Sequence, residues 1–550
     1  MNHTPLRHLI LSGVSLLLFT ACTKVGPDYV KPKEVAMPTT WEQKLPKSDH
    51  AIASWWKHFD DPTLDTLVEK SYEQNLDLRS AGLRILQARA ALGVSEGLYY
   101  PQQQTVSGGL ALGRAKSNNY IGGGVNFDVG WEMDVWGKYA RGVESAEATL
   151  YASVASYDEI LVTIIAEVAR NYVNYRTTQE RIKFAKRNIL IQEKIVEITQ
   201  IQFNAGNVSE LDMQQARTQL YGTKSLLPAL ELSKVKSRNA IAILLGTLPQ
   251  EVEMLLHHQE ESDIMSTPEA DDDLLQVSLI THDYNSSTYI PQLLLDENIT
   301  IDADLVRRRP DLQVAELQTL AQNAKIGATK AELYPHFTLF GNIGYNNQHS
   351  GGIHLSTGDA IGISVGPAFS WNIFQYGRIK NQVRLQDALL QEKLSNYNKK
   401  VLLAIQEVSN ALNGYQYTKE QLELNAKAIE ATVRAFDISI IQYNDGLVGY
   451  QRLLTSVQNL TRNEDQYALI QGNIATQVIA LYKALGGGWQ MGRERSYLRE
   501  ADLKEMQERT DWGDYFDENR TLMPSALDEG GEVQVIQVDQ NGTLRPKGLR

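Results

Sequence analysis

The sequence predicts an α+β membrane protein that repeats one plan twice, with long α-helices and four β-strands per chain, and a β-barrel that other chains must help to close. Three observations carry that reading. Landmark residues recur at long, nearly constant offsets; one apolar stripe keeps a helical period across a proline-free stretch; and two short segments alternate between apolar and polar residues, each beside a weaker partner. Composition excludes much else. The 550 residues include 53 basic and 66 acidic side chains, for a net charge of -13, with one cysteine and a mean hydropathy of -0.31. After the first segment no apolar run reaches the roughly 20 residues of a membrane-spanning helix. The acidic balance argues against nucleic acid as a partner, and a single cysteine rules out an intrachain disulfide and a four-cysteine zinc site. GxxxxGK[ST] and HExxH motifs are absent.

Residues 1–21 read as a signal peptide, with Arg7 as the basic region and Leu9 to Ala21 as an apolar stretch too short to span a bilayer. Leu18-Phe19-Thr20-Ala21-Cys22 resembles a bacterial lipobox, except that Phe19 stands where leucine is usual. On that resemblance Cys22 carries a diacylglycerol and an N-acyl chain, and Thr23 directs the lipoprotein to the outer membrane. The alternative is a buried free cysteine beside an ordinary signal peptide. No other cofactor is expected. Residues 22–65 form the lipidated N-terminal segment, expected to pack on an equatorial region.

The first repeat covers 66–246 and the second 305–489. Asp77-Leu78 and Tyr100-Pro101 return 234 positions later as Asp311-Leu312 and Tyr334-Pro335. Glu167-Val168, Gln202-Phe203-Asn204-x-Gly206 and Leu245-Gly246 return after 240 as Glu407-Val408, Gln442-Tyr443-Asn444-x-Gly446 and Leu485-Gly486. Each copy reads as helix, two strands, then two long helices. No proline interrupts Gln102 to Leu227 or Ala368 to Met523. Leu390, Leu394, Tyr397, Val401, Ile405, Val408, Leu412 and Tyr415 advance by about 3.6 residues per step, a helical and nearly coiled-coil period. Carried from Gly377 to Tyr443, that pattern makes a rod of roughly 100 Å at ~1.5 Å per residue.

Val125, Phe127, Val129, Trp131 and Met133 alternate with polar or small residues, as do Ile361, Ile363, Val365, Pro367, Phe369 and Trp371. Strands are therefore expected near 104–113, 123–134, 337–346 and 361–372. About ten residues of dyad alternation is the length of a tilted transmembrane strand. A soluble hairpin with one wet face is the alternative, disfavoured beside a lipidated, exported chain with helices this long. Four strands cannot close on themselves, and lipid does not tolerate an open edge. Two or more chains must share the barrel.

Several further motifs give the chain a family resemblance: Gly26-Pro27-Asp28-Tyr29, Trp55-Trp56-x-x-Phe59-x-Asp61-Pro62, Trp131-Glu132-x-Asp134-x-Trp136-Gly137, Arg307-Arg308-Arg309-Pro310-Asp311 and Leu485-Gly486-Gly487-Gly488-Trp489. With them the chain resembles the TolC-like outer-membrane efflux proteins, in the NodT- and OprM-like lipoprotein branch that serves resistance-nodulation-division pumps. The resemblance implies a homotrimer with a shared twelve-stranded barrel in outer-membrane lipid above a helical coiled-coil barrel in the periplasm. It also implies two further partners, a periplasmic membrane-fusion adaptor and an inner-membrane pump. The function implied is a passive exit duct for drugs or other small toxic compounds. A duct for type I polypeptide secretion remains the alternative, and a soluble periplasmic coiled coil or an enzyme ranks below both, since no carboxylate pair or Ser/His/Asp set has catalytic spacing.

By the same resemblance a periplasmic gate lies near the helix turns at Gly206 and Gly446. Asp212 and Tyr443 match two positions of a polar link between hairpins, and Gln451 and Thr455 fall at the narrowest level, where relatives often carry an apolar residue and an aspartate. Val448 stands where some members have arginine. The other reading makes Asp212 and Gln451 solvated helix-end residues. Residues 247–304, with Asp271-Asp272-Asp273 and Tyr284-Asn285-Ser286-Ser287, form an inter-repeat equatorial insertion. Its His257-His258 pair has no third ligand and suggests no metal. Residues 490–550 form a polar tail that docks on the belt or stays disordered. Replacing Cys22→Ala is expected to abolish incorporation of radiolabelled palmitate; label retained in the variant, or absent from the wild type, contradicts the lipid assignment.

Overall fold

The computed structural model describes residues 24–31, 52–115, 118–257, 289–293, 295, 306, 308–350, 353–354, 360–493, 495–516, 536–538 and 544–546. Cys22, the signal peptide, Arg307, His258, Asp271-Asp272-Asp273 and Tyr284 to Ser287 lie outside them. The first repeat opens with α1 (Pro62–Gln74) and α2 (Leu76–Gly97), followed by strands β1 (Gln103–Ala115) and β2 (Asn118–Met133). Two long helices follow, α3 (Lys138–Asn204) and α4 (Glu210–Leu245). After α5 (Pro249–His257) the plan returns as α6 (Pro310–Ala331), β3 (His336–Ser350), the two-residue β4 (Ile353–His354), β5 (Ile361–Ser370), α7 (Arg378–Asn444) and α8 (Tyr450–Ala484). The tail adds α9 (Glu500–Arg509).

Both α3 and α7 contain 67 residues, so each rod is about 100 Å long at ~1.5 Å per residue. The stripe expected on α7 is its packed face: Tyr397, Val401, Val408 and Leu412 are buried, and Leu390, Leu394, Ile405 and Tyr415 half-buried. Pro228 lies inside α4 without ending it. It sits on the exposed side, where water can satisfy the carbonyl that its ring leaves unbonded.

The four main strands form one antiparallel sheet in the order β1-β2-β3-β5, with β4 paired only to the end of β3. All four regions expected to be strands are strands. The two weaker partners extend further than their alternation suggested, because pairing with β2 supplies backbone bonds that their glycine-rich sequences do not advertise.

Several of the sequence motifs hold the shaft together beneath the sheet. Asp61 caps α1, accepting from the amides of Thr63 and Leu64 at 2.9 and 3.1 Å, and also accepts from the Tyr172 hydroxyl at 2.7 Å. The preceding aromatic turn buries Trp55, Trp56 and Phe59, with Trp55 stacked on Tyr482 of α8 at 5.4 Å. Burying each such ring is worth several kcal/mol, about 3 to 5 on truncation to alanine. Near the N-terminus, Gly26 lies at φ +104°, and a Cβ there would come within 2.5 Å of the Gly327 backbone. Two glycines in contact let residues 24–31 lie close on α6, where Asn323 donates to Pro27 O at 3.0 Å, while Arg141 of α3 pairs with Asp28 at 2.8 Å.

In its described stretch up to Phe516 the tail docks on the shaft. Arg79 of α2 forms a bidentate pair with Asp502, Arg495 pairs with Glu69 at 2.7 Å, and Trp512, Tyr515 and Phe516 pack on the core that includes α2. Arg493 reaches the buried Asp158 of α3 at 3.3 Å. Burial pushes the Asp158 carboxyl up to about 7 from its usual 3.8, against the pull of Arg493. The folded chain thus holds a proton that the unfolded chain has released, and Asp158 lowers stability as pH rises through that window. Arg493→Ala removes the opposing charge, so its destabilisation should grow between about pH 5.5 and about pH 8.5. Thermal melts at the two pH values check this, and an equal loss at both contradicts the pairing.

Candidate functional site: barrel face and tunnel tip

Residues opposite one another on neighbouring strands share a face, so the register decides whether four separate patterns make one surface. They do. Val106 faces Phe127, Phe127 faces Ile343, and Ile343 faces Ile363; Leu112 faces Ile121, and Val125 faces Tyr345, which faces Ile361. Val106, Leu110, Leu112, Ile363, Val365 and Phe369 are all exposed within the single chain. The other face is polar: Asn342 donates to Asp128 at 2.6 Å and Asn346 to Asn126 at 3.1 Å. Among the described residues no helix is long and apolar enough to cross a membrane. The sheet is the surface suited to lipid, and among the described residues the outer edges of β1 and β5 have no partner strand.

The Trp-Glu-x-Asp-x-Trp-Gly motif couples this sheet to the shaft. Asp134 caps α3 by accepting from the amides of Tyr139 and Ala140 at 3.1 and 2.8 Å. Glu132 accepts from the Tyr139 hydroxyl at 2.9 Å and meets His336 at 2.7 Å and Lys138 at 3.4 Å. Trp136 stacks on Tyr334 at 4.7 Å and donates to Pro335 O at 2.8 Å.

At the far end both hairpins reverse in the same way. Gly206 lies at φ +76° and Gly446 at φ +72°. The amides of Gly206 and Asn207 bond back to Phe203 O and Gln202 O at 2.9 Å each, and those of Gly446 and Leu447 to Tyr443 O and Gln442 O at 3.1 and 2.8 Å. This is the Schellman ending of a helix, and the left-handed residue in it strongly favours glycine.

The expected Asp212 to Tyr443 hydrogen bond is not formed within the chain. Asp212 instead closes a capping box at the start of α4, accepting from the Ser209 amide at 3.0 Å and its hydroxyl at 2.7 Å. Three residues from an N-cap serine, it satisfies the unpaired donors of its own helix first. Tyr443 donates to Thr199 Oγ1 at 3.3 Å and meets Tyr450 edge-on at 5.9 Å, inside a core cluster with Ile195, Ile198, Phe436 and Leu453. Burial raises both phenols, and the Asp212 charge adds to the effect, so the carboxylate acts on them through space. Gln451 and Thr455 are exposed one turn apart on α8, with the Thr455 hydroxyl bonded back to Gln451 O at 2.9 Å.

Sequence reasoning missed a polar lock higher on the shaft. Glu464 of α8, fully buried, accepts from Asn188 of α3 at 2.6 Å and pairs with Arg187, while Arg181 pairs with Asp465 at 2.7 Å. Its only signal was Glu464 itself, an acid four residues from both Leu460 and Ala468 on the buried stripe of α8.

A sheet with one lipid-suited face, standing on long helical hairpins, defines the subunit of an outer-membrane channel. The chain belongs to the outer membrane efflux protein family, whose model matches residues 67–247 and 303–487. It is 26% identical to nodulation protein T of Rhizobium leguminosarum bv. viciae over 87% of this chain and 93% of that one. It is 24% identical to the cation efflux system protein CusC of Escherichia coli O157:H7 over 86% and 97%. The solved outer-membrane channel OprN superposes with a TM-score of 0.72 at 30% identity, covering 85% of this chain and all of that one. The protein is an outer-membrane protein that extends into the periplasm, and it is not an enzyme.

Tyr443→Phe and Thr199→Ala each remove the bond between them, and the second also removes the Thr199 bond to Ile195 O; each should loosen the tip, Tyr443→Phe at a cost of about 0.5 to 1.5 kcal/mol, and the double variant should cost less than the sum of the two. Single-channel conductance in planar bilayers measures the loosening; additive effects would contradict a shared bond.

Proposed function

We propose that three copies form an exit duct anchored by lipidated Cys22, through which an inner-membrane pump and a periplasmic adaptor discharge small toxic compounds. The observation that carries this reading is the coherent apolar face across β1, β2, β3 and β5, with its two outer edges unpaired, above hairpins long enough to reach deep into the periplasm. The names of relatives support efflux rather than polypeptide secretion: one exports pyoverdine and another belongs to an antibiotic efflux pump. The tunnel supplies no chemistry and selects by width and charge.

Gln451 and Thr455, exposed on α8 near the tip, form its narrowest ring in this reading. Neutral amides and hydroxyls there attract cations less than carboxylates do. Thr455→Asp should therefore shift the reversal potential toward cation selectivity at low salt, with the shift fading as salt screens the field. An unchanged potential would remove position 455 from the constriction. A deletion strain should become more susceptible to a panel of small toxic compounds and recover with the wild-type gene; unchanged susceptibility across the panel would contradict an efflux role.

A further inference from the structure

The two repeats are similar enough to act as templates for each other. Trp131 donates its indole N–H to Tyr99 O at 3.3 Å, and its counterpart Trp371 donates to Leu333 O at 3.0 Å. Moving β1 forward by 233 positions and β2 by 240 turns the pair Val106 and Phe127 into Leu339 and Pro367, which face each other in β3 and β5. One operation therefore carries the first repeat's strand pairing onto the second's.

The seam between the repeats, β2 against β3, is formed inside the chain. Its image lies between β5 of one chain and β1 of the next, where both edges are open. Under the same operation Gly130 opposite Phe340 becomes Ser370 opposite Ser107, both on the polar face. Trp136 becomes Tyr376, and, by the 234-position offset that holds as far as Pro101, Tyr334 becomes Tyr100. Trp136 is stacked on Tyr334, yet Tyr376 is 103% exposed at φ +49°, and Tyr100 is 66% exposed. A left-handed tyrosine is strained and persists only where its surroundings hold it there. Helix α7 shows the same unfinished surface. Val162 and Phe184 of α3 are each 6% exposed, whereas their counterparts Leu402 and Leu424 of α7 are 54% and 61% exposed.

We propose that the seam between chains copies the seam within the chain: β5 pairs antiparallel with β1 of a second copy in the register that sets Ser370 opposite Ser107, and Tyr376 stacks on Tyr100 of the partner subunit. This rests on the shared-barrel reading and adds its register and anchor. The contact is head-to-tail, as a closed ring requires. It also differs chemically from its template. Glu132, Lys138, Glu332 and His336 gather at the inner seam, and their counterparts are Asn372, Arg378, Leu98 and Gln103. With three of four ionisable groups gone, the aromatic stack is the main contact at this level.

Directly opposed strand residues lie about 4.5 to 5.5 Å apart at Cα, within disulfide range, whereas a shift of two residues opens roughly 7 to 8 Å. The full-length protein carrying Ser107→Cys with Ser370→Cys should oxidise in detergent to covalently linked oligomers, and Ser107→Cys with Ala368→Cys should not. If a trimer is present by mass but only the shifted pair links, the register is overturned and the shared barrel stands. If the unlinked protein is monomeric by mass, both fall. Tyr376→Ala should lower the temperature at which the oligomer dissociates in mild SDS, and Tyr376→Trp, which restores the inner seam's ring, should recover it. Equal dissociation temperatures for wild type and Tyr376→Ala would overturn the stack.

Discussion

An unpaired backbone amide or carbonyl in hydrocarbon costs several kcal/mol, and this constraint governs the molecule. The sheet of β1, β2, β3 and β5 has two open edges and an apolar face that water would not stabilise. Among the described residues no element covers either. Association therefore belongs to the fold itself, and the rest of the chain is arranged around it. The helices that continue from the sheet repeat the same incompleteness, since α3 exposes only Leu190 and Ile201 of its large apolar side chains while α7 leaves seven, Leu402 and Leu424 among them, in the open.

Holding such a sheet at the correct tilt on a shaft of hairpins needs a rigid joint, and the sequence motifs supply it. Asp134 begins α3, Glu132 gathers a tyrosine, a lysine and a histidine, and Trp136 locks onto the end of α6. Lower down, Arg309 bonds Ala484 O at 2.7 Å and pairs with Asp311 at 2.9 Å and Glu407 at 2.8 Å, tying the start of α6 to the end of α8. Each of these side chains is engaged by another part of the chain. Their work is to transmit position, which is what a conduit without catalysis requires of its charged groups.

Most of the architecture was legible in the sequence because it rests on periodicity. A stripe such as Tyr397, Val401 and Val408 specifies a helix whatever surrounds it, and the two copies check each other. Strand positions were legible to within a few residues, but the glycine-rich β1 carried a weak signal, since its order comes from β2. The tip was read less well. Asp212 was matched to Tyr443 by position, yet local capping by Ser209 prevails over a longer reach, and Thr199, whose hydroxyl Tyr443 finds, lies on another helix in a place no spacing rule indicates. Buried acids such as Glu464 are equally hidden, because their partners Arg187 and Asn188 are 277 and 276 residues away. Cys22 lies outside the described residues, and its lipid rests on the sequence alone.

Hydrogen exchange on the detergent-purified protein tests the central claim most directly. Alternate amides along β1 and β5 point outward from the sheet, and in an isolated chain they have no partner and exchange within seconds to minutes. If other chains close the barrel, those outward amides should be protected as strongly as the inner amides of β2 and β3. Fast exchange confined to the outer edges of β1 and β5, with β2 and β3 still protected, would contradict the account.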